Sequence, residues 1–190
     1  MAALLVWMVS STTALADYGF GHHAPGDMEA NFLLNLFRFV RWPHGPTDTA
    51  TICFLKPSTV QARLEFGLSR SEPWAQITGR RVIVRMLAPT DAEALAAAED
   101  TAGCQVLFLD AHTADRFWPA LAAVHLPPAL LTVSTQSDFA YHGGMIEILW
   151  SSADTYRILI NQANVARADV IVSGALGTLA DRVDDARHRY

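Results

Sequence analysis

The sequence predicts a single-domain α/β sandwich: a mainly parallel mixed sheet with helices on both faces and a C-terminal antiparallel hairpin. Three observations predict it. Short apolar runs recur at 49–55 (TATICFL), 81–87 (RVIVRML), 105–109 (QVLFL), 130–134 (LLTVS), 145–150 (MIEILW) and 156–161 (YRILIN). Helical patterns separate the first four, at 59–66, 91–101 (DAEALAAAEDT) and 113–124, the alternation that βαβ units produce. Only residues 151–155 part the last two runs, a spacing suited to a hairpin.

The elements follow in order. Residues 1–16 (MAALLVWMVSSTTALA) run from apolar to small and polar and end in Ala14-Leu15-Ala16, a pattern that fits a signal peptide and places the mature chain in the periplasm. The competing reading is a buried N-terminal strand or helix. The apolar run is too short to span a bilayer, and no later run is longer. Residues 17–26 (DYGFGHHAPG) read as a flexible arm, ahead of a domain spanning 27–190. The helix within EANFLLNLFRFVRWP (29–43) comes next, and an amphipathic helix over 173–186 closes the chain.

Composition excludes several classes. Half the residues, 51%, are apolar and 17% are charged, which describes a packed domain. The formal net charge is −5 and the chain has a single lysine, Lys56. Nucleic acid is therefore not an expected partner, because phosphate binding needs clustered basic residues.

In an oxidising compartment Cys53 and Cys104 are a candidate disulfide; in a reducing one they would be small buried apolar side chains. Two lone cysteines without CxxC or HxxxH spacing make no tetrahedral zinc site, and no metal or other cofactor is expected.

The search for catalytic motifs finds no GxSxG, no Walker loop, no GxGxxG after a strand and no HExxH. Asp110 ends a strand, where open α/β sheets bind ligands, although an acid there also simply starts a turn. His112 lies beside it. In SDFAYHGGMIEILW, Phe139 and then Gly143, Gly144 and Met145 open into a strand; the glycines suit either a tight turn or the close approach of a ligand. A pocket formed with Asn161 is the alternative site.

The ordered series FLLNLFRFVRWP, ICFL, GRRVIVRML, CQVLFL, LLTVSTQSDFAYHGGMIEIL and YRILINQANVARADVIVSGALGTLA resembles the YfiR-like family of exported proteins over residues 28–183. The resemblance implies a non-catalytic periplasmic repressor. Its partner would be an inner-membrane diguanylate cyclase, contacted at the periplasmic sensor domain, with consequences for cyclic-di-GMP and biofilm formation. It also implies homodimers and disulfide-dependent stability. Relatives fused to a membrane histidine kinase imply a second role, as a small-ligand sensor. The sequence departs from the family pattern at Ile158, where Phe is usual. It also lacks the second cysteine pair of the best-known member near GGMI, and it has Gly177 in place of a large apolar residue.

The helix before Trp-Pro carries the interface expectation. Phe32, Leu36, Phe39 and Val40 form one stripe, and Leu33, Phe37 and Met28 widen it beyond what one sheet face needs. Surplus apolar surface marks an interface, so Phe32, Leu36 and Phe39 are expected to contact a partner. Arg38 and Arg41 would stand at the rim and Trp42 would anchor the end. The alternative is that a second layer of the same domain covers the helix.

Overall fold

In the computed structural model, the described residues are 26–70, 76–87, 103–123, 126–152 and 155–183. The signal peptide expected over 1–16, all but Gly26 of the arm expected over 17–26, and the helix expected over 91–101 lie outside them. The elements run α1 (Asp27–Phe39), β1 (Val40–Arg41), β2 (Thr49–Phe54), α2 (Thr59–Arg70), β3 (Gln76–Ile77), β4 (Arg80–Met86) and β5 (Val106–Leu109). They continue as α3 (Ala111–Ala122), β6 (Leu131–Ser134), β7 (Ile146–Ser152), β8 (Thr155–Asn161), α4 (Gln162–Arg167), β9 (Ile171–Val172), α5 (Gly174–Leu179) and β10 (Ala180–Val183).

Eight strands form one sheet in the order β10-β8-β7-β6-β5-β2-β4-β3. The run from β4 through β2, β5 and β6 to β7 is parallel throughout. Antiparallel pairs enter at β3 with β4 and at β7 with β8. The predicted mainly parallel sheet with its late hairpin is therefore the observed one. The hairpin is not the sheet's edge, however, because β10 adds a further strand parallel to β8.

That strand also corrects the closing helix expected over 173–186. The helix stops at Leu179 and the chain extends to pair Ala180–Val183 with 158–161. Glycines at both ends of one turn, Gly174 and Gly177, weaken the helix by about 1 kcal/mol each relative to alanine. The sheet edge supplies the backbone partners that a longer helix would have supplied, and Val183 is buried.

Period-two alternation sorts the strands onto two faces. Ala50, Ile52, Phe54, Val106, Phe108, Leu131, Val133, Ile146, Ile148, Ile158 and Ile160 share a cluster with α1 and α2 side chains. Cys53, Leu107 and Leu109 point the other way, into a second cluster closed by Ala114, Trp118 and Leu121 of α3. Helices α1 and α2 pack on each other and on the sheet at that face. The Arg63 Nε to Asp27 Oδ1 pair at 3.2 Å ties α2 to its start.

Candidate functional site

The region around the two glycines is held by a buried carboxylate. Strand β7 alternates Ile146, Glu147, Ile148, so Glu147 points away from α1 toward the loop between β6 and β7. Its Oε1 accepts from the Asp138 backbone N–H at 2.9 Å and its Oε2 from that of Ala140 at 3.0 Å. Glu147 is 1% exposed. Burial pushes its carboxyl above the ordinary 4.5, against the two N–H bonds and the His142 charge, which lower it; the Asp138 charge raises it.

Neighbouring polar groups fasten the same loop. Asn161 is buried, donates to the Ala140 carbonyl at 2.9 Å, and accepts from the Asn164 N–H as the cap of α4. Asn164 Nδ2 donates to the Gly143 carbonyl at 2.6 Å. The Met145 N–H donates to Thr132 Oγ1 at 3.2 Å. Trp118 Nε1 donates to the His142 carbonyl at 2.9 Å, and its ring lies 4.5 Å from that of Phe139. Gly143 sits at φ +95, and a β-carbon on Gly144 would stand 2.2 Å from the Phe139 ring. The positive φ of Gly143 suits a tight turn, and the close approach of the Phe139 ring accounts for Gly144.

Asp110 caps α3, its Oδ1 accepting from the Thr113 N–H at 2.7 Å. His112 is exposed on the first turn of that helix. Neither joins the glycines. A cleft of about 290 Å³ lies instead among Trp118, Leu126, His142, Gly143, Met145, Asn164 and Arg167. A neighbouring cleft of about 360 Å³ shares Trp118, Ala122 and His142 with it. Gly143 and Met145 thus line a cleft that Asp110 and His112 do not; Phe139 lines the second cleft, and Gly144 and Asn161 line neither. Among the described residues no group of three His, Cys, Asp or Glu could hold a metal.

The residues missed by sequence reasoning are Glu147, Trp118, Asn164 and Arg167. Glu147 left one signal, a lone charge in an otherwise apolar strand. The others are brought together only by the packing of α3 and α4 beside one loop.

The apolar surplus expected on α1 is absent. Phe32, Leu36 and Trp42 are 5%, 1% and 4% exposed. The sheet lies on one side of the helix and α2 on another, the Phe32 ring meets Tyr156 edge-on at 6.0 Å, and Trp42 folds back to stack on Phe37 at 5.0 Å. Arg38 and Arg41 are exposed and Phe39 is half-buried, so only these three of the expected contact residues reach the surface.

Cys53 and Cys104 form a disulfide across 51 residues of sequence, buried in the α3 cluster. No helix of the described residues is long and apolar enough to cross a membrane.

No match to a curated protein was found. Among solved structures the chain is similar to a conserved domain protein from Vibrio cholerae O1 biovar eltor str. N16961. That match has 10% identity and a TM-score of 0.49, over 85% of this chain and 61% of that one. It is also similar to an ABC domain in complex with L-Trp from Streptococcus pneumonia, at 11% identity and TM-score 0.50, over 85% of this chain and 62% of that one. The second likeness speaks for the fold alone, and the chain spans less than two thirds of either protein. The family model described as YfiR/HmsC-like matches residues 26–181, from the first turn of α1 into β10, and the chain belongs to that family.

Proposed function

We propose that the protein is a periplasmic, non-catalytic regulator that represses an inner-membrane diguanylate cyclase. It does so by contact with the cyclase's periplasmic sensor region, and it works as a homodimer. The family match over 26–181 carries this reading. The buried Cys53–Cys104 bridge supports the compartment, since disulfides persist where the surroundings are oxidising. The carboxylates of Asp110 and Glu147 are engaged by backbone N–H groups of α3 and of the β6–β7 loop, which suits a scaffold better than acid–base chemistry. The test is cellular cyclic-di-GMP with the gene deleted and restored. Deletion is expected to raise the nucleotide and restoration to lower it; a level that never moves refutes the reading.

A second reading is favoured by one observation, the paired clefts about Trp118 and His142. An aromatic floor with His142, Asn164 and Arg167 at the walls suits a small polar ligand, whose binding would pass a signal to a membrane kinase. Ligand-dependent thermal stabilisation of the purified chain, lost in Trp118→Ala, would favour it over simple repression.

A further inference from the structure

The two clefts on the α3 side meet along one helix. The larger, of about 360 Å³, takes Ala114, Asp115, Trp118 and Ala122 from α3, with Gln136 and Phe139 beside them. The other, of about 290 Å³, begins at Trp118 and Ala122 and continues past the end of α3 to Leu126 and Pro127. Trp118, Ala122 and His142 belong to both, so the two form one trough that follows the helix. From Ala114 to Ala122 that helix covers about 12 Å at 1.5 Å per residue. Each cleft has the size of sites that enclose small molecules.

The ends of the trough differ in charge. Asp115 lines the cleft nearer the start of α3, and Arg167 of α4 lines the other. Both are exposed, and Asp115 forms no ion pair among the described residues. Between them the walls are largely apolar, with Trp118, Leu121, Leu126 and Met145. The polar groups there are fixed in advance. The Trp118 indole N–H is committed to the His142 carbonyl. Asn164 Nδ2 is committed to the Gly143 carbonyl, which leaves Asn164 Oδ1 as an acceptor for a ligand N–H. A floor ordered before binding lowers the entropic cost of taking up a ligand.

We infer that this trough binds a short peptide with free ends, its ammonium group at Asp115, its carboxylate at Arg167 and an apolar side chain against Trp118. The inference rests on the ligand-sensing reading above and names the class of ligand. Three extended residues span about 10–11 Å, which matches the length of the trough. A single amino acid carries its two charges on one carbon and cannot reach both ends. A dicarboxylate would set an anion against Asp115, and a diamine would set a cation against Arg167; like charges in contact are unfavourable. The amide groups of a peptide also give Asn164 and His142 something to bond midway.

The test is calorimetric titration of the purified full chain with trialanine and trileucine, with their N-acetyl and C-amide forms, and with alanine, glutarate and cadaverine for comparison. The variants are Asp115→Asn, Arg167→Gln and Ala122→Trp, the last filling the junction of the clefts from an exposed position. Melting temperature checks that each variant folds. The free peptides are expected to bind, trileucine more tightly than trialanine. Blocking either end is expected to weaken binding roughly tenfold or more, the scale of one charge-assisted contact. Asp115→Asn should bind free and N-acetyl peptides alike, and Arg167→Gln should bind free and amidated peptides alike, a pairing that general loosening of the fold would not produce. Ala122→Trp should abolish binding. Trialanine with two D-residues at its carboxyl end separates the sources: preference for it points to cell-wall fragments and preference for the all-L form to protein fragments, and either supports the class. If alanine, glutarate or cadaverine binds to the parent and not to Ala122→Trp while the peptides do not bind, the class is wrong and the ligand-sensing reading stands. If nothing in the panel binds, both fall. End-blocked peptides that bind as tightly as free ones overturn the inference.

Discussion

Replacing Glu147 with glutamine changes one atom's chemistry and should loosen the whole loop between β6 and β7. The carboxylate offers both oxygens as acceptors, one to the Asp138 N–H and one to the Ala140 N–H. Glutamine offers one oxygen, so its amide nitrogen must face a backbone donor. Ala140 is fully buried, and water cannot reach its N–H as a substitute. An unsatisfied buried N–H costs about 1–3 kcal/mol, which for a chain of this size lowers the melting temperature by roughly 3–10 °C at pH 7. The pH dependence is a separate check. Burial raises the Glu147 carboxyl above its unfolded value of 4.5, so the folded state holds that proton more tightly than the unfolded state does. The associated stability is fully present below the unfolded value and is lost as pH rises through the folded one. The gap between the unaltered chain and Glu147→Gln should therefore widen on acidification through that window, since the other titrating groups are common to both. Thermal melts of both proteins from pH 7 down to pH 4 measure it. A variant as stable as the parent at pH 7 would refute the anchoring role. A gap that narrows with acid would mean that the two N–H bonds outweigh burial.

Removing the bridge as Cys53→Ala/Cys104→Ala releases a loop closed across 51 residues; the chain-entropy model puts this at about 4 kcal/mol. Chemical denaturation should show that loss, and the parent in reductant should approach it. Gly144→Ala drives a methyl to 2.2 Å from the Phe139 ring, and overpacking of this kind costs about 1–3 kcal/mol; near-UV circular dichroism should report the displaced Phe139–Trp118 pair. Asp110→Ala removes the cap of α3 and is expected to lower stability by about 1 kcal/mol while leaving repression of cyclic-di-GMP intact, which a catalytic role would not permit. Phe32→Asp places a charge at a site 5% exposed and should unfold the chain, so a protease-resistant Phe32→Asp protein would show that α1 is not covered as described.

The sheet was legible because its signals are local. Runs such as TATICFL and RVIVRML keep strand composition over five to seven residues, and β2 and β4 span Thr49–Phe54 and Arg80–Met86, within a residue of the predicted bounds. The cysteine pairing was legible through compartment and count. What the sequence did not reveal depends on distant partners. Ala180–Val183 is a strand because β8 offers it an edge, and nothing within those four residues says so. The apolar stripe of α1 read as wider than one sheet face, but periodicity reports only that a face is buried and not against what. Here Tyr156, far along the chain, and Trp42, folding back on Phe37, cover what the sheet leaves. The cleft was misplaced for the same reason. Asp110 stands at a strand end, as ligand-binding acids do, yet its oxygen is taken up locally by Thr113, and the groups that line open space come from α3, α4 and the glycine loop.

The two faces of the sheet are stabilised by different means, and the difference bears on regulation. The α1 face is closed mainly by apolar packing, a large cluster running from Ala30 to Leu176, with the Arg63–Asp27 pair at its margin. The α3 face mixes a disulfide with buried polar groups, Thr132, Ser134, Glu147 and Asn161, all 1% exposed or less. Cys53 is 0% and Cys104 7% exposed, and exchange requires a thiolate to reach a sulfur atom. Both cysteines lie in the cluster that α3 side chains close, so opening the α3 layer exposes the bridge to reductant. Opening that layer would pull Trp118 from the His142 carbonyl and from the Phe139 ring. Exposure of the bridge by that route and loss of the loop geometry are thus one event. A redox signal acting on this protein would operate by destabilising a whole face, with the bridge serving as a staple that holds the loop, the clefts and α3 in register.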